Sequence, residues 1–306
     1  MSVSVIIPTY NGAKKIGGII QALQKQIYSL FEVIVVIDGS TDNTRTVLHS
    51  LQHELKFLKI IEQENKGRAA VRNTGAKNAT GDLLIFFDDD MLPLENCVAG
   101  HLAHHQKHEG SILTGGLDEP VNKRSADILK FKSHLSKKWN SELQTDEEGK
   151  LLKQNVFIAA ANFSISKNLF EKLGGFDERL KDAEDFDFAV RASNAGIPLY
   201  FNQQVFAWHN DTISCASYIK RQRQYAIAHK KLVSLNPWMA EQEYIKPVQK
   251  PIGWKKVIFK IFASAFWIKA IDHGKLKFLP QQLRYKIYDL VITSNGVYYT
   301  DKATLK

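Results

Sequence analysis

The sequence predicts an α/β fold with a mostly parallel central sheet flanked by helices, followed by a helical carboxyl-terminal extension. Short runs rich in Val, Ile and Phe, at Val3 to Pro8, Phe31 to Ile37 and Leu83 to Phe87, alternate with stretches whose apolar residues recur at helical spacing. The runs are apolar almost throughout, as in strands buried on both faces. Each is followed by a polar turn, and open α/β sheets bind ligands outside the carboxyl ends of their strands.

Composition sets broad limits. The chain has 306 residues, 44% of them apolar, enough for one large domain with an extension. A net charge of +9, denser after Lys220, points to an anionic partner without choosing among phosphates, nucleic acid and a lipid surface. Cys97 and Cys215 stand far apart and in no metal spacing, so a disulfide framework is not expected and a reducing compartment fits. The amino terminus enters a strand at once, without the basic and apolar segments of a signal peptide. No run of about 18 uncharged apolar residues predicts a spanning helix.

Taken in order, Val3 to Pro8 is a strand stopped by proline, and Thr9-Tyr10-Asn11-Gly12 is the turn leaving it. Ile16, Ile19, Ile20, Leu23 and Ile27 then mark a helix. Phe31 to Ile37 is the second strand, with Asp38 ending it on the carboxyl rim; Asp42 reads as a helix cap, with Thr44 or Arg45 opening the helix. Leu58 to Ile61 is a short strand. After it, Asn65-Lys66-Gly67 leads into a helix whose small residues Ala69, Ala70 and Ala76 allow close approach to the sheet. Arg68 and Arg72 share a face of that helix, suited to a diphosphate or simply solvated.

The fourth strand, Leu83 to Phe87, delivers Asp88, Asp89 and Asp90 to the rim. Adjacent carboxylates repel, a cost that a hard divalent cation relieves. The other reading is a solvated acidic turn, and the residues alone leave both open.

Together Val-Ser-Val-Ile-Ile-Pro-Thr-Tyr-Asn at the start, Val36 to Thr44, Asn65-Lys66-Gly67 with Ala69-Ala70 and Arg72-Asn73, and Phe87-Asp88-Asp89-Asp90 resemble an inverting family 2 glycosyltransferase of the GT-A fold, of the bacterial cell-surface polysaccharide type. The resemblance implies a Rossmann-like domain in which Thr9, Tyr10 and Asp38 hold the nucleobase end of a nucleoside diphosphate sugar, usually a uridine one, with help from Arg72. It also implies that Asp88 or Asp89 contacts ribose and that Asp90, with Asp88, binds Mn²⁺ or Mg²⁺.

Further on, Glu95 to His108 predicts a helix and Ser111 to Gly116 a strand ending in glycines. His101, His104, His105 and His108 fall on one helical face; without a completing Cys or acid they read as an exposed polar face rather than a metal site. Residues 118–154 turn polar and suggest a mobile excursion. Ala159 to Ser166 resumes a strand, and Leu169, Phe170 and Leu173 mark a short helix ended by Gly174-Gly175. Acids then crowd a helix amino terminus at Glu184, Asp185 and Asp187, where the helix dipole alone would favour them. The same resemblance extends to Gly-Gly-Phe-Asp-Glu followed by Glu184-Asp185 and Arg191, and implies Asp185 as general base, with Glu184 orienting it or the acceptor. Pro198 to Phe201 and Val205 to Trp208 predict two short strands, after which His209 stands where the family often has a metal- or diphosphate-binding histidine.

Beyond Thr212 the chain becomes helical and basic. A long helix carries Lys220, Arg221, Arg223, Lys230 and Lys231; Pro237, Pro247 and Pro251 interrupt; a helix over Ile252 to Ile271 bears an apolar stripe with Lys255, Lys256 and Lys260 elsewhere; and Gln281 to Ile292 forms the last helix. The basic amphipathic segment suits either a membrane interface or packing on the catalytic domain.

The expected organisation is a glycosyltransferase domain over 1–212, with a nucleotide-sugar half to 116 and an acceptor half from 117, and an extension over 213–306. The expected enzyme is a hexosyl- or N-acetylhexosaminyl-transferase of polysaccharide or cell-envelope biosynthesis. It acts on a glycan or lipid-linked acceptor, in the cytoplasm or peripherally on the inner face of the membrane. No nucleic-acid module surrounds the basic residues. The alternatives are a non-catalytic nucleotide-sugar-binding subunit of a membrane glycan assembly complex, which would not need Asp185, and a nucleotidyltransferase, which would need a triphosphate loop that Thr9 to Lys15 does not supply.

Overall fold

In the computed structural model the described residues are 1–54, 57–152, 154–241, 249 and 251–300. The chain falls into two compact units, one of residues 1–118 and 140–210, the other of residues 119–139 and 211–306.

The first unit holds an eight-stranded sheet. In chain order its elements are β1 (Val3–Thr9), α1 (Ile16–Gln24), β2 (Phe31–Asp38), α2 (Thr44–Glu54), β3 (Leu58–Gln63), α3 (Arg68–Asn78), β4 (Leu83–Phe87), β5 (Met91–Pro93), α4 (Cys97–Lys107) and β6 (Ile112–Asp118). The end of α5 (Asp127–Glu142) follows, then β7 (Asn162–Ser166), α6 (Lys167–Lys172), α7 (Glu184–Asn194) and β8 (Leu199–His209). The strand order is β3-β2-β1-β4-β7-β6-β8-β5. β3, β2, β1 and β4 run parallel, as four strand–helix units require, whereas β7 is antiparallel to both β4 and β6.

Alternation along each strand divides the core into two layers. Val5, Ile7, Val33, Val35, Ile85 and Phe87 meet Ile16, Ile19, Leu48, Val98 and Leu102 of α1, α2 and α4. Ile6, Ile34, Val36, Leu84 and Phe86 meet Ala69, Val71, Phe170, Phe188 and Ala189 of α3, α6 and α7.

Four expectations are corrected here. The histidine stripe on α4 is not an exposed face: His101 and His105 are buried, because α4 lays that side on the sheet. His101 shares protons with Ser164 Oγ (2.8 Å) and Asn162 Oδ1 (2.8 Å), and His105 with Ser164 Oγ (2.8 Å). The two short strands after Pro198 are one strand, β8. It carries an irregularity opposite Gly115 and Gly116, which pair with Asn202 and Phe206, so three residues are accommodated without breaking the strand. A Cβ on Gly115 would lie 2.3 Å from the Val205 carbonyl, which explains the glycine there.

Within the expected polar excursion the chain forms α5, whose Ile128 and Phe131 are buried. Residues 119–139 belong to the second unit. Asp127 accepts from Arg284 Nε (2.8 Å) and Nη2 (3.0 Å) and from Tyr288 Oη (2.7 Å), and Phe131 packs against Tyr285 and Tyr288.

The second unit is otherwise helical: α8 (Cys215–Leu235), a 3₁₀ turn at Pro237–Glu241, α9 (Gly253–Phe262), α10 (Ala265–Asp272), α11 (Gln281–Thr293) and a wide π turn at Ser294–Tyr298. Its core gathers Phe131, Cys215, Ile219, Ile268, Ile271, Tyr285, Tyr288 and Val291. The expected single helix over Ile252 to Ile271 is two, because Ser264 caps the second by accepting from Phe266 N at 3.2 Å. Pro247 lies outside the described residues. No helix among them is long and apolar enough to cross a membrane.

Candidate active site

The parallel register, with Thr9 opposite Ile37 and Ile6 opposite Phe86, brings the carboxyl ends of β1, β2 and β4 to one rim. A cleft of about 320 Å³ opens there, lined by Thr9, Tyr10, Lys15, Asp38, Gly67, Arg68, Arg72 and the three consecutive aspartates among others.

Asp38 is buried at the end of β2 and organises the next loop. Its carboxylate accepts from Gln63 Nε2 (2.7 Å) and from the backbone N–H of Lys66 (2.9 Å) and Gly67 (2.9 Å), and its carbonyl accepts from Asn65 Nδ2 (3.0 Å). This fixes the entry to α3. Gly39, at φ +69°, must approach Asn65 N so closely that a Cβ would lie 2.7 Å away. Tyr10 is exposed on the lip of the cleft, whereas Thr9 is buried and donates to Asp89 Oδ2 at 2.7 Å. A Cβ on Gly12 would sit 2.2 Å from Thr9 Oγ1 and 2.4 Å from Asp89 Oδ2, so the turn after β1 leaves no room for a side chain.

The three aspartates diverge. Asp88 accepts from Arg72 Nη2 at 2.5 Å, Asp89 from Thr9, and Asp90 from Lys15 Nζ at 2.9 Å. Each therefore has its own protein partner. Burial, reinforced by Asp90, pushes the Asp89 carboxyl up to about 6 despite the hydrogen bond from Thr9. Burial opposes ionisation of Asp90 as well, but His209 and Lys15 hold it well below the usual carboxylate range.

His209 reaches Asp90 through a long-range pairing. β5 runs antiparallel to the end of β8 with Met91 opposite His209, and Asn210 N donates to the Asp90 carbonyl at 2.9 Å. The imidazole Nε2 then lies 3.4 Å from Asp90 Oδ1, a buried oxygen with no hydrogen-bond partner among the described residues. An open carboxylate oxygen beside an imidazole is a donor set that suits Mn²⁺, and the oxygen alone suits Mg²⁺.

Arg72 does not lie beside Arg68 as a second solvent-facing cation. It is buried, donating through Nη1 to Glu184 Oε1 at 2.6 Å and through Nη2 to Asp88. Burial opposes its charge, but Asp88 and Glu184 keep the guanidinium firmly protonated. Arg68 stays half-exposed in the cleft, its Nη1 3.5 Å from Asp182 Oδ1.

The acids at the start of α7 separate by environment. Asp187 accepts from Arg191 Nε at 2.8 Å, and Arg191 also donates to the carbonyls of Leu173 (2.6 Å) and Gly175 (2.8 Å), so that pair anchors the preceding loop. Glu184 is buried on Arg72. Asp185 keeps only a bond from Phe186 N at 2.8 Å and has no cation at ion-pair distance among the described residues. Burial and the neighbouring Glu184 push its carboxyl up to about 6, against the pull of Arg72. Ahead of it Ala183 is fully buried in the left-handed region at φ 61°, a conformation costing a non-glycine residue about 1 kcal/mol.

Two residues of the site escaped sequence reasoning. Lys15 gave no signal, since one lysine in a turn has no periodicity or spacing. Asn73 stood inside a motif without a role; its side chain bonds the backbone of Phe176 (N–H at 2.9 Å, carbonyl at 2.9 Å) and ties α3 to the loop before α7.

The family model described as glycosyl transferase family 2 matches residues 4–174. The chain belongs to this family. Among the relatives of this glycosyltransferase, an uncharacterized glycosyltransferase of Bacillus subtilis, YfnE, is 29% identical over 69% of the chain and 65% of its own length. Glycosyltransferase AglE of Haloferax volcanii is 26% identical over 96% of the chain and 87% of its own length. The fold is that of the mannosyltransferase PcManGT from Pyrobaculum calidifontis, solved with GDP-Man and Mn²⁺ (TM-score 0.63, 18% identity, 98% of this chain and 88% of that one). It is also that of residues 1–349 of S. aureus TarS, solved with UDP (TM-score 0.55, 22% identity, 99% and 92%). The GT-A fold expected from the sequence is therefore present.

Proposed function

We propose that this glycosyltransferase moves a sugar, a hexose or N-acetylhexosamine, from a nucleoside diphosphate donor to a hydroxyl of a glycan or lipid-linked acceptor, with inversion. The observation carrying this reading is the Asp88–Arg72–Glu184 bridge, which ties the acidic end of β4 to the helix bearing Asp185.

In this reading Thr9, Tyr10 and Asp38 form the nucleobase end of the cleft, and Asp88 and Asp89 its ribose side. Residues 1–116 supply the donor half. Asp90 and His209 would hold Mn²⁺ or Mg²⁺, which when bound would offset the charge developing on the departing diphosphate. Lys15 and Arg68 add fixed positive charge along the same cleft.

Asp185 takes the proton of the acceptor hydroxyl as its oxygen bonds to the anomeric carbon. The bond from that carbon to the diphosphate breaks on the opposite side, its electron pair leaving with the nucleoside diphosphate. A carboxyl poised near 6 is ionised at neutral pH yet basic enough to accept the proton. Glu184, held on Arg72, orients Asp185 or the acceptor.

Uridine donors are the first expectation, since a relative from S. aureus, 30% identical over 63% of this chain, is named a poly(ribitol-phosphate) β-N-acetylglucosaminyltransferase, and its structure was solved with UDP. A guanosine donor is the next, from the mannosyltransferase structure with GDP-Man. The site of action in this reading is the cytoplasm, where nucleotide sugars would be supplied. The test is nucleotide release and product formation from a panel of uridine, guanosine and thymidine diphosphate sugars with Mn²⁺ or Mg²⁺, offered native membranes and soluble glycans. Metal-dependent turnover of one donor, lost in Asp90→Asn and Asp185→Asn, supports the reading; nucleotide binding with no transfer to any acceptor overturns it.

A further inference from the structure

Helix α9 has apolar residues on two opposite sides. Phe259 packs on Tyr298 with ring centroids 4.9 Å apart and Phe262 on Trp267 at 4.8 Å, which uses the inward face. Trp254, Val257 and Ile261 nevertheless stand 69%, 59% and 56% exposed. At about 3.6 residues per turn these three fall on one stripe turned away from Phe259. Ile252, just before the helix, is exposed as well, and no residue of α9 is buried.

The charges around this stripe share one sign. Lys260 borders the stripe, and Lys255 and Lys256 stand further round the helix on either side of Phe259, both exposed; the Lys255 ammonium still lies 5.9 Å from the Trp254 ring centroid. From Ile252 to Ile287 the chain carries seven lysines and Arg284 against one acid, Asp272. All seven lysines are exposed. Arg284 is spent on Asp127, and Asp272 on the backbone N–H groups of Cys215 and Ala216 at the start of α8. The exposed charge of this segment is thus cationic.

We infer that α9 is a docking helix for an anionic lipid surface, with Trp254, Val257 and Ile261 entering the headgroup boundary and Lys255, Lys256 and Lys260 lying among the phosphates. An interfacial helix combines such an apolar stripe with lysines on its polar face and an aromatic residue. A protein partner with an apolar groove would bury the stripe but would not call for three exposed lysines and no acid on the same helix. This inference does not rest on the transfer reading, because it concerns binding without donor or acceptor.

The experiment is flotation of the full chain with vesicles of phosphatidylcholine alone or mixed with phosphatidylglycerol, at low and physiological salt. Expected are uptake on the phosphatidylglycerol vesicles only, a fall on adding salt, and a loss of about fivefold in partition for each of Lys255→Gln, Lys256→Gln and Lys260→Gln. Replacing Trp254, Val257 and Ile261 together by Ser should lower partition at least about tenfold. These side chains are exposed, so thermal unfolding of the variants should match the wild type. Equal uptake on uncharged vesicles, no uptake at low salt, or undiminished uptake by the Ser variant would each overturn the inference. So would dimerisation in sedimentation that the Ser variant abolishes while vesicles take up nothing, since a second copy would then be the occupant.

Discussion

The Arg72 guanidinium meets the Glu184 carboxylate at 2.6 Å, although 112 residues separate them in sequence, and neither side chain reaches solvent to any extent. Buried pairs of this kind make the fold sensitive to loss of one partner, because the survivor's charge is left in a poorly solvating interior. Arg72→Met should therefore lower stability by about 3–5 kcal/mol. Denaturant unfolding measures it. The Arg72→Met, Glu184→Gln double variant should recover part of that loss, because both charges are then gone.

Asp185→Asn should reduce transfer by about 10²–10⁴-fold while leaving donor affinity unchanged. In the wild type the rate should climb as pH rises through about 6 and then level, because the basic form of this carboxyl is the deprotonated one. Rates from pH 5 to 8 at saturating donor check this. The same raised value predicts a stability effect: an acid harder to ionise folded than unfolded costs stability above its unfolded range, so Asp185→Asn should raise Tm at pH 7.5 and lose that advantage at pH 4.

His101 and His105 are held neutral by burial, each lowered to about 4. The unfolded chain binds their protons first, so the stability they contribute is complete above pH 6.5 and drains away as pH falls towards 4. Tm measured over that window should fall less steeply in His105→Gln than in the wild type.

Gly12→Ala forces a methyl against Thr9 Oγ1 and Asp89 Oδ2. The expected outcome is a stability loss of about 1–3 kcal/mol, typical of overpacking, together with loss of donor binding. Nucleotide titration calorimetry beside thermal unfolding separates the two effects.

Asp90→Asn should weaken Mn²⁺ binding in the presence of nucleotide by at least about tenfold, and His209→Ala should weaken it by less, since a carboxylate supplies charge that an imidazole does not. Manganese paramagnetic resonance reads free and bound ion directly. Equal affinity in all three proteins would move the metal away from β4.

Much of the cleft was legible in the chain. Uninterrupted runs of Val, Ile and Phe can satisfy their burial only inside a sheet, and the turn that follows such a strand must emerge at its carboxyl end. That reasoning reached Thr9, Asp38 and the acids from Asp88 to Asp90, all of which the fold brings to one cleft. It failed where a helix face had to be assigned without knowing its neighbour: His101 and His105 of α4 looked solvated by type and proved to be core, since Ser164 and Asn162 of β7 supply their hydrogen bonds. It failed again where one residue starts a new helix, as Ser264 does inside an apolar stripe that continues past it.

The sequence by itself determined the strands and helices of the first half, their parallel order and the family, because these follow from local periodicity and short contiguous motifs. Only the tertiary structure decided that Arg72 turns inward to Glu184, that β5 pairs with β8 and sets His209 beside Asp90, that Lys15 joins that aspartate, and that residues 119–139 pack with the carboxyl-terminal helices. Each is a pairing of residues far apart along the chain. No local pattern encodes such a pairing; it is fixed by the register of strands and the faces of helices once the whole core has closed.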